Sequence, residues 1–140
     1  MTIVKGRIAC SHFADSKWEK KGLRGFLEYR DLGVTDASQG RFAANVGRAL
    51  HAHRPGQEAP MHVHKVGFHL TYVLKGWSRS YYEGLGEVVL RAGDCLTYEG
   101  DLPQAHVEYS EDFEVLQVTM PADFPTTPLD MPVPGKDSKT

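Results

Sequence analysis

The stretch HAHRPGQEAPMHVHKVGFHLTYVLKG, residues 51–76, contains five of the seven histidines of this 140-residue chain. Two His-x-His pairs stand in it, His51/His53 and His62/His64, and His69 follows. Side chains two residues apart in a β-strand lie on the same face. His62 and His64 are therefore expected to direct two imidazoles to one point, which is a simple way to present a pair of metal ligands.

Two further histidines are candidates for the same site. His69 comes five residues after His64, so in an unbroken strand it would lie on the opposite face, and it can join the pair only if the chain bends near Gly67. His106 lies in another predicted strand, and a β-barrel can bring such a distant position back across its interior. The pair His51/His53 is predicted to be a solvated strand end, and His12 is given no role.

The surrounding sequence predicts many short strands separated by turns. Fourteen glycines and eight prolines divide the chain into segments rich in Val, Leu, Tyr, Phe and Thr. Predicted strands cover residues 23–30, 41–50, 69–76, 78–84, 86–90, 94–98, 105–109 and 113–120. This spacing is typical of an antiparallel sandwich or barrel. Only residues 11–23 have any helical tendency, and the proline-rich residues 121–140 are expected to lie extended over a surface, with the last of them mobile.

Composition excludes several classes of function. Sixteen basic and eighteen acidic residues leave a net charge of −2 without a basic tract, so neither nucleic acid nor an anionic membrane is an expected partner. The apolar runs are too short for a membrane span, and the first ten residues do not form a signal peptide. Two cysteines, Cys10 and Cys95, without metal or redox spacing, favour a cytoplasmic protein with free thiols.

The histidine region resembles the first motif of the cupin superfamily. Gly56, five residues, His62-Val63-His64, four residues, His69, six residues and Gly76 match its spacing, and Tyr72–Gly76 matches the YVLxG ending. The second cupin motif is matched less closely: Gly93-Asp94 begins it, Glu99 and Asp101 stand where Pro and Gly belong, His106 comes two residues late, and Ser110 takes the Asn place. We interpret the shift as an insertion in 99–104. Residues 29–33, 72–77 and 121–124 are similar to small single-domain cupins of the cupin 2 type.

The resemblance implies an all-β fold, the RmlC-like double-stranded β-helix or jelly-roll barrel. It divides the single domain into an N-terminal arm with the first strands (1–40), a barrel core (41–120) and a C-terminal tail (121–140). The implied metal ligands are His62, His64, His69 and His106. Cupins usually have glutamate at the place of His69, which leaves two roles open for this residue: ligand, or hydrogen-bonding partner of a metal-bound anion or water.

The chemistry expected from such a site depends on its charge. Neutral imidazoles suit Fe, Mn, Ni or Zn, and because they add no negative charge the ion remains a strong Lewis acid for a small anionic or dicarbonyl substrate. We expect a metal-dependent, oxygenase-like enzyme, with a non-haem Fe dioxygenase as the leading case. A non-catalytic ligand-binding or sensing cupin and a metal-free sugar isomerase or epimerase are the alternatives. A homodimer is expected because small β-barrels leave edge strands open.

Strand parity places Thr71 and Val73 on the face of His69, and both are expected to line the cavity. Parity does not decide whether Arg79, Tyr81 and Gln117 reach the cavity or form exposed contacts. Asp94, which follows Gly93, is expected in a structural turn. Glu99 is expected in a solvated loop, with a role as base as the alternative if the insertion folds inward.

Overall fold

A computed structural model describes residues 2–20, 25–56 and 59–134. Within these ranges the chain is almost entirely β-structure. The strands are β1 (Thr2–Lys5), β2 (Ile8–Ser11), β3 (Leu27–Asp31), β4 (Ala43–Ala49), β5 (Ala59–His64), β6 (Phe68–Lys75), β7 (Trp77–Tyr82), β8 (Gly86–Arg91), β9 (Cys95–Tyr98), β10 (Gln104–Tyr109), β11 (Glu114–Met120) and β12 (Thr126–Pro128). The helical parts are a 3-10 turn at Phe13–Asp15 and one short α-helix, α1 (Val34–Ala37).

Two five-stranded antiparallel sheets form the barrel. One has the strand order β12-β5-β10-β7-β8 and the other β3-β4-β11-β6-β9, while β1 and β2 form a separate hairpin. Apart from the paired neighbours β3–β4 and β7–β8, strands that are consecutive in the sequence from β3 to β12 alternate between the two sheets, as in a jelly roll. The predicted all-β jelly-roll fold is therefore confirmed.

Several local predictions were wrong. The hairpin β1–β2 was not predicted, and neither was the helical turn α1, which begins after Gly33 in a left-handed conformation (φ 83°). The helical tendency assigned to 11–23 amounts to one 3-10 turn, with residues 21–23 outside the described ranges. The tail does not merely lie on a surface, because β12 pairs in register with β5 as an edge strand. The predicted mobility of the last residues concerns 135–140, which lie outside the described ranges.

The barrel core is apolar at one end. Phe26, Leu27, Tyr29, Val73, Leu90, Tyr109, Phe113 and Val115 form a single buried cluster. Tyr29 is register partner of Gly47, whose missing side chain makes room for the ring: a Cβ at Gly47 would lie 3.0 Å from Tyr29 Cε1. This packing of apolar area removes water from the closed end and provides most of the driving force for folding.

The inner face of the second sheet becomes polar away from that core. Register pairing places residues in rows across the sheet, and residues in one row point to the same side. The first row joins Tyr29, Gly47, Val115 and Val73; the second Asp31, Asn45, Gln117 and Thr71; the third Ala43, Thr119, His69 and Tyr98. The barrel therefore has an apolar closed end and a polar open end, which is where a ligand site belongs.

The turn after β6 requires the glycine of the YVLKG sequence. Gly76 has φ 68°, and a Cβ there would collide with the Ser110 hydroxyl and the Asp112 carboxylate. The Ser110 hydroxyl accepts a hydrogen bond from the Trp77 backbone N–H at 2.9 Å. No helix in the described ranges combines the length and apolar character needed to cross a bilayer.

Candidate metal centre

His62 and His64 project from β5 to the barrel interior, as their spacing predicts. Their ring centroids are 4.7 Å apart at an interplanar angle of 71°. His62 is 5% exposed, and its Nδ1 lies 2.6 Å from the Pro60 carbonyl oxygen. A carbonyl oxygen only accepts hydrogen bonds, so Nδ1 of His62 carries the proton and Nε2 has the lone pair that a metal needs.

His64 is held by the tail. Its Nδ1 lies 2.7 Å from the Thr126 hydroxyl of β12, and the Phe124 ring contacts its imidazole edge-on, with 5.4 Å between centroids. These two contacts with the tail fix the orientation of the ring. The tail segment is therefore part of the site, which no sequence motif indicated.

His69 reaches the same space from the other sheet. β5 ends at His64 and β6 begins at Phe68, so the chain crosses from one sheet to the other between them. His64 and His69 are therefore not on one unbroken strand, and the five residues between their positions do not place them on opposite faces. The His64 and His69 rings are nearly parallel (14°) with centroids 6.0 Å apart, and Tyr98 stacks on the other side of His69 at 5.0 Å.

Gly67 lies in this crossing, where the sequence predicted a bend, and it has no positive φ. A Cβ at this position would lie 2.8 Å from Met120 Cε, the flexible end of that side chain, and 3.3 Å from the Met120 carbonyl oxygen.

His106 lies on β10 among aromatic rings. Its imidazole is 6% exposed, and its centroid lies 5.5 Å from that of Phe26, 5.7 Å from that of Tyr109 and 6.1 Å from that of Phe113. Nδ1 is 3.5 Å from the Ser80 hydroxyl, at the limit of a hydrogen bond.

All four histidines line one cavity of about 30 Å³ between the two sheets. The remaining lining residues are Thr71, Ser78, Ser80, Tyr82, Gln104, Ala105, Phe113, Val115 and Gln117. The described lining residues thus combine imidazoles with uncharged polar groups and include no carboxylate or lysine. The volume is sufficient for an ion and about one or two water-sized groups.

The donor set and the ring separations fit a transition metal. With a metal–nitrogen bond of about 2.0–2.1 Å, an imidazole centroid stands about 3.2 Å from the ion, so two ligands lie about 4.5 Å apart at right angles and about 6.4 Å apart when opposed. The observed 4.7 Å and 6.0 Å fall in this range. As the side chains stand, however, no three His, Cys, Asp or Glu groups in the described ranges complete a metal-binding set. The donor types and these two ring separations fit a metal ion, whereas the described side chains do not by themselves form a complete metal site.

The structure also places the other candidates. The prediction that His53 is solvated was wrong, because this residue is half-buried and its ring lies edge-on to Tyr109, with 5.1 Å between the centroids. Neither His53 nor His51 is among the residues that line the cavity. Gln117 lines the cavity, whereas Arg79 forms ion pairs with Glu108 and Glu87. On β7 the buried positions are Ser78, Ser80 and Tyr82, which places Tyr81 on the other face.

The second-motif residues have structural roles. The Asp94 carboxylate accepts a hydrogen bond from the Arg91 N–H at 2.8 Å, which closes the predicted turn. Glu99 is exposed in the loop before β10, as expected. His106 reaches the cavity despite its displacement along the motif.

Comparison with known proteins supports the fold. No protein-family model and no curated protein matches the sequence. Among solved structures, the polyketide cyclase RemF from Streptomyces resistomycificus superposes with a TM-score of 0.66 at 19% identity, covering 93% of this chain and 92% of RemF. An RmlC-like cupin from Shewanella frigidimarina gives 0.62 at 18% identity over 86% and 94%. KdgF from Halomonas sp. gives 0.62 at 15% identity over 79% and 92%.

The chain therefore has the cupin fold, the RmlC-like jelly-roll barrel. At these identities the similarity establishes the architecture, and function must be argued from the site itself.

Proposed function

We propose that this chain is a metal-dependent, oxygenase-like cupin enzyme that acts on a small anionic or dicarbonyl substrate. The observation that supports the proposal is the convergence of His62, His64, His69 and His106 on one cavity from both sheets. Three of these imidazoles are more than nine-tenths buried. A metal ion shared by the four histidines would be a further partner for these buried polar rings.

The chemistry of the donors favours Fe, Mn, Ni or Zn. Fe(II) would supply reaction of an electron-rich chelate with O₂, whereas Zn or Ni would supply Lewis-acid activation. None of the described residues that line the cavity carries a carboxylate, so the positive charge of such a site is left to be neutralised by the substrate. An anionic, bidentate substrate is therefore the best electrostatic match.

The protein groups around the histidines would hold and orient that substrate. The Pro60 carbonyl contacts Nδ1 of His62, and the Thr126 hydroxyl contacts Nδ1 of His64. These contacts fix the two rings, as the outer partners of metal ligands do. Thr71 and Gln117 are adjacent register partners on the cavity wall and offer hydrogen bonds to substrate oxygens. The aromatic rings around His106 keep bulk water from the closed end.

Proteins with the same fold lend general support. By their names, they include an epoxidase (hydroxypropylphosphonic acid epoxidase), a DMSP lyase and an oxalate decarboxylase, with TM-scores of 0.64, 0.53 and 0.60. The chain spans 59%, 43% and 31% of those three proteins, respectively. We transfer from them only that a barrel of this kind can hold an enzyme site.

Metal analysis followed by O₂ consumption tests the proposal. We expect about one equivalent of Fe, Mn, Ni or Zn, lost in the His62→Ala/His64→Ala variant and kept in His53→Ala, whose histidine lies outside the cavity. The Fe-loaded protein should consume O₂ with a member of a β-dicarbonyl panel. Metal and ligand binding without turnover would identify the non-catalytic alternative. Isomerase activity in protein without metal would contradict the proposal.

A further inference from the structure

The metal-centre cavity is too small for a whole substrate, but a second cavity adjoins it. This cavity of about 230 Å³ shares His64, His69 and Gln117 with the first. Its other lining residues are Asp31, Thr35, Ala43, Ala44, Asn45, Thr119, Ala122 and Phe124. Pockets for drug-sized ligands measure about 300–1,000 Å³, so the occupant must be smaller, of the size of a simple metabolite.

Two polar atoms in this second cavity are buried without a partner. The Asn45 amide oxygen and the Thr119 hydroxyl have no hydrogen-bond partner among the described protein groups, and Thr119 is only 5% exposed. Most buried polar groups in proteins are paired, and each exception requires an explanation. Their position beside the metal centre provides one, because Thr119 is the register partner of His69.

The charge of the second cavity restricts what it can bind. The described residues of its lining include no lysine or arginine, and they include Asp31, whose carboxylate accepts a hydrogen bond from the Gly33 N–H at 2.8 Å. An anionic group would therefore find no lysine or arginine partner among the described lining residues. An uncharged hydroxyl group can donate a hydrogen bond to the Asn45 amide oxygen. It can also donate a hydrogen bond to the Thr119 hydroxyl or accept one from it.

We propose that the second cavity is a specificity site for a hydroxyl group on the substrate. The chelating, anionic end lies at the four histidines, and a hydroxyl at the other end is bound by Asn45 and Thr119. This inference rests on the proposed function for the position of the chelating end. It goes further by assigning the chemical class of the remote end and the residues that select it.

A pair of chelating probes that differ by one hydroxyl tests this assignment. Kojic acid and allomaltol are both hydroxypyranones that chelate a metal ion as monoanions, and kojic acid has a hydroxymethyl group where allomaltol has a methyl. We expect the Zn-loaded protein to bind kojic acid about five- to tenfold more tightly by calorimetry, as one or two added hydrogen bonds predict. In NMR titrations, kojic acid should shift the Thr119 methyl and Asn45 side-chain amide signals.

Variants distinguish a ligand-binding role from a structural one. Thr119→Val keeps the shape but removes the hydroxyl, so the preference for kojic acid should fall to within about twofold of unity while Tm is unchanged or raised. Thr97→Val, on an exposed position of β9, is the matched control and should keep the wild-type preference. Equal affinity of the wild-type protein for both probes would overturn the inference.

The outcome for the metal centre is read separately. If the protein binds none of Fe, Mn, Ni and Zn, the proposed function fails, and the NMR titration of the metal-free protein then decides the inference by itself. Shifts at Asn45 and Thr119 that kojic acid produces and allomaltol does not would still support it. Equal shifts with the two probes, or shifts only outside this cavity, would overturn it.

Discussion

The Thr126 hydroxyl lies 2.7 Å from Nδ1 of His64, so a residue of the C-terminal edge strand orients an imidazole of the candidate metal centre. The pairing of β12 with β5 brings these residues into register. A contact of this kind fixes the ring and raises the basicity of the other nitrogen.

Thr126→Val tests that contact. The substitution removes the hydroxyl and keeps the shape, so we expect metal affinity to fall about tenfold, as for other outer partners of ligands. Competitive titration against a chromophoric chelator measures the change. Thr127→Val, at the exposed neighbouring position, should leave the affinity unchanged. Equal affinity in wild type and Thr126→Val would show that the contact has no influence on the site.

His69→Glu tests the role of His69. If His69 is a ligand, glutamate, the usual residue of the first cupin motif at this place, should keep metal affinity within about tenfold, whereas His69→Ala should lower it by about 10- to 100-fold. The same titration, with His53→Ala as control, measures both changes. Wild-type affinity in His69→Ala would exclude His69 from both proposed roles.

Tyr109→Phe tests a buried hydroxyl at the closed end of the barrel. Tyr109 is 2% exposed, and its hydroxyl has no hydrogen-bond partner among the described groups. Burial raises the pKa of the phenol above its ordinary value, and the charge of Arg54 offsets part of this rise. Removing an unpaired buried hydroxyl should leave the free energy of unfolding unchanged or raise it by up to about 1 kcal/mol at pH 7.

The raised pKa also predicts the sign of a pH effect. The unfolded chain releases the phenolic proton at about pH 10, before the folded chain does. The wild-type protein should therefore keep its full stability below that pH and lose stability as pH rises towards the folded pKa. Tyr109→Phe should lack this loss, and Tyr72→Phe, at a 39% exposed position, should retain it. Urea unfolding between pH 7 and 11 measures the stability of the wild type, Tyr109→Phe and Tyr72→Phe. A Tyr109→Phe variant clearly less stable than the wild type at pH 7 would contradict the unpaired state of the Tyr109 hydroxyl.

We also propose that the protein forms a homodimer. β8 is the last strand of its sheet, and it exposes Val89 (37%) beside the exposed Leu85 (66%). Light scattering after size exclusion should give twice the chain mass of 15.6 kDa. Val89→Lys, a charge on the edge strand, should shift the mass towards one chain. A wild-type mass of 15.6 kDa at high protein concentration would contradict the proposal.

The sequence predicted the parts of the fold that local patterns determine. The His62-Val63-His64 spacing and the YVLKG turn indicated the barrel, and the four candidate histidines do line one cavity. Whether they bind a metal stays a prediction. The parity of β6 was also predictable, because His69, Thr71 and Val73 alternate with more exposed residues.

What the sequence did not reveal depends on contacts between distant segments. Thr126 and Phe124 lie in a proline-rich tail without a motif, and only the pairing of β12 with β5 brings them to His64. The positions of Asn45 and Thr119 in the interior depend on how β4 and β11 pair. The alternation of apolar and polar residues within a single strand does not define that register. Which face of β7 points to the cavity could be assigned only from burial. The structure places Ser78 and Ser80 at the cavity, whereas Arg79 and Tyr81 lie on the other face.

Anomalous diffraction from crystals of the metal-loaded protein tests the central claim most directly. The account predicts one strong peak inside the barrel, about 2.0–2.3 Å from imidazole nitrogens of His62, His64 and His106. The absorption edge would identify the element at the same time. A peak elsewhere on the chain, or metal-loaded crystals in which those three imidazoles do not share an ion, would contradict it.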